Sequence, residues 1–316
     1  NGLPEPVVHT ETLGYEHLGA LEVLRQLLPT AIVGDIPTSF ETVGHIAHLN
    51  LKDEQLPYKR LIGRVILEKN DRITSVVNKT KAIENQFRVL PLEVIAGKDE
   101  METMVVQHGI RYKLNYAEVY WNSRLEHEHN RLVREVFGAV KGSGRKGIGK
   151  KCSVILDMTC GVGPFTVPAA KAGCKVYAND LNPKCAEYTR MNCRLNKISE
   201  DNLPLVYCMD AREFVRRSQR KDVVGGDGSM GGPVLFDHAV INLPASGLEF
   251  VDAFRGAFDR TVWQGRRLPY VHCYTFVGKQ DMETQMQTSD AGGEDPSGGA
   301  GPPPPPPRGP SCPWSP

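Results

Sequence analysis

The sequence predicts an α/β protein: a mostly parallel sheet with helices on both faces, preceded by a smaller α+β domain. Three observations predict it. From residue 152 onward short apolar runs alternate with helical stretches, and an acid or amide (Asp157, Asp180, Asp210, Asn242) stands at the end of four successive runs. Before residue 140 strand-like and helical pieces are mixed without that rhythm. Strands separated by helices of this length require right-handed crossovers and a sheet covered on both sides.

In chain order, "HIAHLNL", "ITSVVNK" and "RVLPLEVIAG" read as strands and "LIGRVILEKN" as a helix. "YKLNYAEVYWNSRLEHEHNRLVREVF" changes from strand alternation at Tyr112, Leu114 and Tyr116 to helical spacing through Leu125, Leu132, Val133 and Val136. These pieces make one domain, residues 1–140. "KGSGRKGIGKK", 141–151, is a basic, Gly-rich connector. The domain 152–282 then runs "SVILDMT" strand, helix from Pro164, "KVYAND" strand, "PKCAEYTRMNCRLNK" helix, "LPLVYCMD" strand, "AREFVRRSQ" helix, "FDHAVINLP" strand, "LEFVDAFRGAF" helix and "YVHCYTF" strand. A glycine-rich loop at 223–233 precedes the fourth strand. The tail, 283–316, is Gly/Pro-rich, cannot bury enough apolar surface to fold, and is expected to be disordered.

With 40% hydrophobic residues in 316, the chain can bury sizeable cores. No apolar run approaches the ~20 residues of a membrane span, and no signal pattern opens the chain. The first residue is Asn1, so a fragment is expected. A net charge of +1 excludes a uniformly basic coat but not a local basic face. The 8 cysteines form no Cys-x-x-Cys pair and read as reduced, buried thiols of an intracellular protein.

The chemistry concentrates in "ILDMTCGVGPF", 155–165. Gly161 and Gly163 permit a tight turn and close backbone approach, so a ligand is expected across this loop, at the carboxyl ends of the strands. A dinucleotide is one candidate, since Asp180 lies where a ribose-binding acid belongs. Against it, the third glycine of that fingerprint would fall at Thr166, and Pro164 and Phe165 occupy the pyrophosphate's place. Asp157 beside the loop suits a cationic ligand such as the sulfonium and amino groups of S-adenosylmethionine. "INLPASGLEF" resembles the Asn-Pro-Pro-type loop of methyltransferases that act on amino or ring nitrogens, which implies that Asn242 holds a planar, nitrogen-bearing substrate; a simple turn residue before Pro244 is the alternative. The run Glu126, His127, Glu128, His129 spreads around a helix axis and offers no metal set.

"GHIAHLNL", "LIGRVILEKN", "VVNK", "VYWNSRLEHEHNRL", "DMTCGVGPF", "VYANDLNP", "MDAREF", "INLPASGLEFVDAF" and "VHCYTF", in order over about residues 40 to 277, resemble the eukaryotic and archaeal class I tRNA (guanine-37-N1)-methyltransferases. The resemblance implies a class I, Rossmann-like methyltransferase fold, with the family's N-terminal elbow-binding domain absent here. It implies S-adenosyl-L-methionine as cofactor and a tRNA with guanine at position 37 as partner. It also implies a monomer, no membrane, and an address in cytoplasm, nucleus or mitochondrial matrix. Cofactor contacts carry over to His129, Asp180, Leu181, Asp210, Ala211 and Asn242, beside Asp157, Gly161 and Gly163 of the loop. The arginine of the family's "PRL" matches Arg124, with Ser123 in place of the proline. Arg124 and Asn242 are the expected catalytic pair, and Glu128, four residues after Arg124, is the candidate proton acceptor, set against a surface ion pair with Arg124 or Arg131.

Family members continue past "HCYTF" with a helix and final strands, whereas this chain turns Gly/Pro-rich, so its fifth strand, 270–276, is expected to be an exposed edge. Two other readings stand beside the methyltransferase: a non-catalytic RNA- or cofactor-binding remnant, and a nicotinamide-dependent oxidoreductase.

Overall fold

In the computed structural model the first helix, α1 (Ala20–Leu27), starts where the Glu22 carboxylate accepts the Gly19 N–H at 2.7 Å. It buries Val23 and Leu24, and a short α2 (Thr30–Val33) follows. Next come β1 (Glu41–Val43), β2 (Ile46–Leu49), α3 (Lys59–Glu68), β3 (Ser75–Lys79) and β4 (Leu92–Gly97). They form a four-stranded sheet in the order β1-β2-β3-β4, with β2 and β3 parallel and the outer pairs antiparallel. Alternation along β3 sends Val76 into a core under α1 and α3 and Val77 into a second core on the other face. The structure describes residues 11–33, 40–81, 86–138, 152–220 and 232–275.

The second core is shared with the hairpin β5 (Glu102–Gln107) and β6 (Ile110–Asn115), followed by α4 (Glu126–Arg131), which runs into a π turn at Leu132–Val136. The parallel layer then alternates β7 (Val154–Asp157), α5 (Thr166–Lys171), β8 (Lys175–Asn179), α6 (Pro183–Leu195), β9 (Leu205–Tyr207), α7 (Ala211–Ser218), β10 (His238–Asn242) and β11 (Tyr270–Tyr274). Its order is β11-β10-β7-β8-β9, all neighbours parallel. Strand alternation again feeds two cores: Leu156, Ala239 and Ile241 on one face, Ile155, Val176 and Val240 on the other. The order reverses between β7 and β10, which puts the crevice for a ligand at their carboxyl ends.

The hairpin is fastened to the parallel layer by two amides one turn apart, one on α6 and one capping its C-terminus. Asn192 accepts from the Lys113 N–H (2.8 Å) and donates to the Lys113 carbonyl (3.1 Å) and the Val162 carbonyl (3.0 Å). Asn196 accepts from the Arg111 N–H (2.9 Å) and donates to the Arg111 carbonyl (2.7 Å). The free edge of β6 is therefore satisfied by side chains in place of a third strand.

Some expectations are corrected here, and others lie outside the described residues. Cys152 and Cys174 form a disulfide, with Cα atoms 4.9 Å apart. They are 22 residues apart in sequence, but pairing of Val154 with Lys175 brings the starts of β7 and β8 together. The other described cysteines are free, and Cys208 is exposed, not buried. The segment after β10 is a 3-10 helix, Gly247–Phe254. Three residues per turn align Gly247, Phe250 and Ala253 against one core. The last strand, expected over 270–276, spans Tyr270–Tyr274 and is, as expected, an edge of the sheet among the described residues. The connector 141–151, most of the loop 223–233 and the tail 283–316 lie outside the described residues. The described residues all belong to one compact unit.

Candidate active site

The turn after β7 is held open by a carboxylate and a threonine. Gly161 and Gly163 have φ of +55° and +97°, a region that favours glycine. A Cβ on Gly163 would lie 2.6 Å from Val167 Cγ2, whereas one on Gly161 would meet nothing closer than 4.0 Å. The Gly161 side of the turn is therefore open to a ligand. Its N–H donates to Asp180 Oδ2 at 2.8 Å, and its carbonyl accepts from the Thr189 hydroxyl at 2.8 Å. Asp180 Oδ1 accepts the Asn182 N–H at 2.9 Å. The Cys185 thiol also bonds to this carboxylate, which leaves it lone-pair capacity for a ribose hydroxyl. Burial raises the Asp180 pKa against the pull of these bonds.

Asp157 sits beneath the turn and not on its open side. It is wholly buried, and its Oδ2 accepts from the Thr166 hydroxyl at 2.6 Å. Its Oδ1 has no hydrogen-bond partner. Burial, with the Asp180 charge nearby, pushes its pKa up to about 7 despite the Thr166 bond. Thr166, at the place of the third dinucleotide glycine, thus has a side chain committed to the interior.

Leu181 is exposed beside Asp180, and Asp210 caps α7, Oδ1 accepting the Arg212 and Glu213 N–H groups at 2.9 and 3.2 Å. Ala211 is buried in the adjoining core. Asn242 ends β10; its N–H donates to the Thr159 hydroxyl at 2.9 Å, while its side-chain Oδ1 is buried without a partner. These positions share one sheet edge, and sequence spacing placed them there. Sequence reasoning missed Asn179, whose amide donates to the Met158 and Met209 carbonyls (3.2 and 2.9 Å) and accepts the Met209 N–H (3.0 Å). It ties together the loops after β7 and β9, and the signal was an amide immediately before the strand-end acid.

The helix α4 closes in from the side. Glu128 accepts two bonds from the Arg131 guanidinium (2.6 and 2.7 Å) and one from the Tyr274 hydroxyl (3.0 Å). Its pKa is lowered by the Arg131 bond, which makes it a poor proton acceptor in this arrangement. Of the two partners the sequence offered, Arg131 is the one that pairs with it. Tyr274 is opposite Asn242 in the sheet register, so this contact docks α4 beside the amide. Arg124 is exposed, and its guanidinium has no partner among the described residues. Ser123 donates to Glu41 at 2.9 Å, which fixes the turn before Arg124. His129 is buried against Phe165, ring centroids 4.5 Å apart. Trp121 is 5% exposed and packs on Tyr112, so it belongs to the core. Among the basic residues of the first domain, Lys59 pairs with Glu93, Arg64 with Glu68, and Lys69 donates to the Tyr15 carbonyl.

The residues fit S-adenosylmethionine: an open glycine turn, an acid with spare lone pairs at the second strand, a capping acid at the third, and an unmatched amide at the fourth.

Residues 103–280 match a family model described as the TRM5/TYW2 methyltransferase domain, and residues 20–100 one described as the TYW2 N-terminal domain. A curated relative from Phytophthora infestans, tRNA (guanine(37)-N(1))-methyltransferase, is 46% identical over 283 residues, 89% of this chain and 61% of its own length. The chain spans about half to three-fifths of the curated relatives it matches. A crystal structure of Trm5b from Pyrococcus abyssi is similar at 27% identity and TM-score 0.61, covering 83% of this chain and 67% of that one. A complex of aTrm5 with tRNALeu shares the fold at 23% identity and TM-score 0.64, covering 91% and 74%.

Proposed function

The chain belongs to the TRM5/TYW2 methyltransferase family, and from that premise we propose that it transfers a methyl group from S-adenosylmethionine to N1 of guanine 37 in tRNA. The observation that carries this reading is the strand-end edge: a glycine turn held by Asp180 beside an Asn242 amide whose buried oxygen lacks a partner. The relatives' activity, named in the same words, supports it.

Gly161, Asp180, Leu181, Asp210 and Ala211 would hold the cofactor, which supplies an electrophilic sulfonium methyl. Asn242 supplies an acceptor oxygen for an N–H on the guanine edge and aligns N1 with the methyl; such positioning can lower a barrier by several kcal/mol. N1 carries a proton at neutral pH, so negative charge develops on the guanine oxygen as that proton leaves. Arg124, always charged and unpaired in the described structure, is suited to stabilise it. Glu128 would accept the N1 proton only after release by Arg131; while paired, it positions α4 against β11.

The division into 1–140, 141–151, 152–282 and 283–316, the monomeric state and the intracellular address in cytoplasm, nucleus or mitochondrial matrix belong to the same proposal and rest on sequence and resemblance. The test is transfer of labelled methyl to unmodified transcripts bearing guanine or adenine at position 37. Label on the guanine transcript alone, lost in Asp180→Ala and Arg124→Ala, is expected. No label on either transcript from folded protein would overturn the enzyme reading in favour of a binding remnant.

A further inference from the structure

The turn that presents Arg124 has little packing of its own. Ser123–Leu125 is a single 3-10 turn with no buried residue, and Asn122 before it is extended at φ −141° and ψ 114°. Asn122 closes the turn locally, its Oδ1 accepting the Arg124 N–H at 3.0 Å. That bond leaves φ of residue 123 free to vary. A proline would fix it, because the ring sets φ at about −65°, as a 3-10 turn needs, and suits the first helical position behind an extended residue. Serine stands there instead, so the order must come from a tether.

The tether is Glu41 of β1, 82 residues earlier. Its Oε1 accepts the Ser123 hydroxyl at 2.9 Å, and the Ser123 N–H, a donor that proline lacks, points to the same oxygen at 3.5 Å. A hydroxyl bonded to a carboxylate is held about twice as firmly as one bonded to a neutral acceptor. Nothing else among the described residues claims this carboxylate: Glu41 forms no ion pair there. His48, opposite it in the strand register, turns Nδ1 to the Tyr116 hydroxyl at 2.9 Å. The start of α4 is thus held by the first sheet, and its middle, through Glu128 and Tyr274, by the parallel one. Arg124 leaves from the first of these anchors with its guanidinium exposed.

We propose that Glu41 is a positioning residue for Arg124: its bond to Ser123 does the work of a proline ring, holding the turn so that the guanidinium meets the guanine oxygen in one pose. The inference rests on the methyltransferase reading above.

The test combines single-turnover methyl transfer at saturating guanine-37 transcript, transcript affinity, and hydrogen exchange over residues 120–126. Glu41→Ala should lower the rate at least about tenfold, as a misplaced group does, while affinity changes less than about threefold. Glu41→Gln, whose amide oxygen still accepts the hydroxyl, should recover most of that loss. In the Ser123→Pro and Arg124→Ala backgrounds, Glu41→Ala should cost less than about threefold, because a residue acting only through the turn and its arginine has nothing left to act on. Exchange should quicken about tenfold in Glu41→Ala and slow again when Ser123→Pro is added. A full loss of rate that persists in either background overturns the proposal, as does an unchanged rate in Glu41→Ala. A loss confined to transcript affinity also overturns it and makes Glu41 an RNA contact. Missing methyl transfer by the whole chain, with exchange that quickens in Glu41→Ala and is restored by Ser123→Pro, strikes the methyltransferase reading and leaves the tether standing; exchange unchanged in Glu41→Ala sinks the tether as well.

Discussion

Asp157 and Asp180 flank one turn and do different work, because one is sealed beneath it and the other keeps lone pairs on its open side. A carboxyl whose pKa rises to about 7 on folding holds a proton that the unfolded chain has lost, so its contribution to stability falls as pH rises from about 4 to about 7. Urea denaturation at pH 5 and pH 8 should show that loss, on the order of a few kcal/mol, and Asp157→Asn should flatten it. An unchanged slope in the variant would assign the pH dependence to other groups. Asn242→Ala should lower methyl transfer about 10- to 100-fold with little change in melting temperature, since its side-chain oxygen has no internal partner to lose. Glu128 separates two roles. Glu128→Gln keeps the Tyr274 contact but weakens the Arg131 pair, so single-turnover rates should fall less than about tenfold if it only positions α4. A fall of several hundredfold with normal tRNA binding would make it the base.

At the scale of elements, the amides of α6 decide whether the hairpin stays with the parallel layer. Asn192→Ala leaves the N–H and carbonyl of Lys113 and the carbonyl of Val162 without their partner. A cost of about 2–4 kcal/mol is expected in denaturant titrations. Because Val162 lies inside the glycine turn, cofactor affinity should weaken as well. Unaltered stability would mean that water or neighbouring strands replace the amide. The spacing of Asn192 and Asn196 is visible in the sequence as one helical face, but their partner strand is about 80 residues away and no periodicity reports it. The sequence predicts a helix over 248–258 without its type for a similar reason: its apolar residues fit both periods, and the segment Gly247–Phe254 adopts the tighter one.

At the scale of the molecule, the parallel sheet ends in an edge at β11, with Tyr270 and Val271 exposed at 52% and 37%. Such an edge is a template for unwanted pairing. Val271→Lys should reduce aggregation on heating, measured by light scattering, with a stability change below about 1 kcal/mol, as is usual for an exposed site. More aggregation would show that Val271 is covered in solution. The same sheet gathers Asp180, Asp210 and Asn242 from three separate runs onto one edge, which is why so much of the site was legible in advance.

The sequence by itself determined the βα alternation, the glycine turn and the residues at the strand ends, because chain direction in a parallel sheet forces every strand's carboxyl end to the same side. Tertiary structure alone decided that Asp157 is sealed from the ligand side, that Glu128 is held by Arg131 and Tyr274, that Cys152 meets Cys174, and that Glu41 reaches Ser123. Each of these depends on which side of a turn or helix a neighbour packs, and on contacts between segments far apart in the chain. Local periodicity carries no information about either.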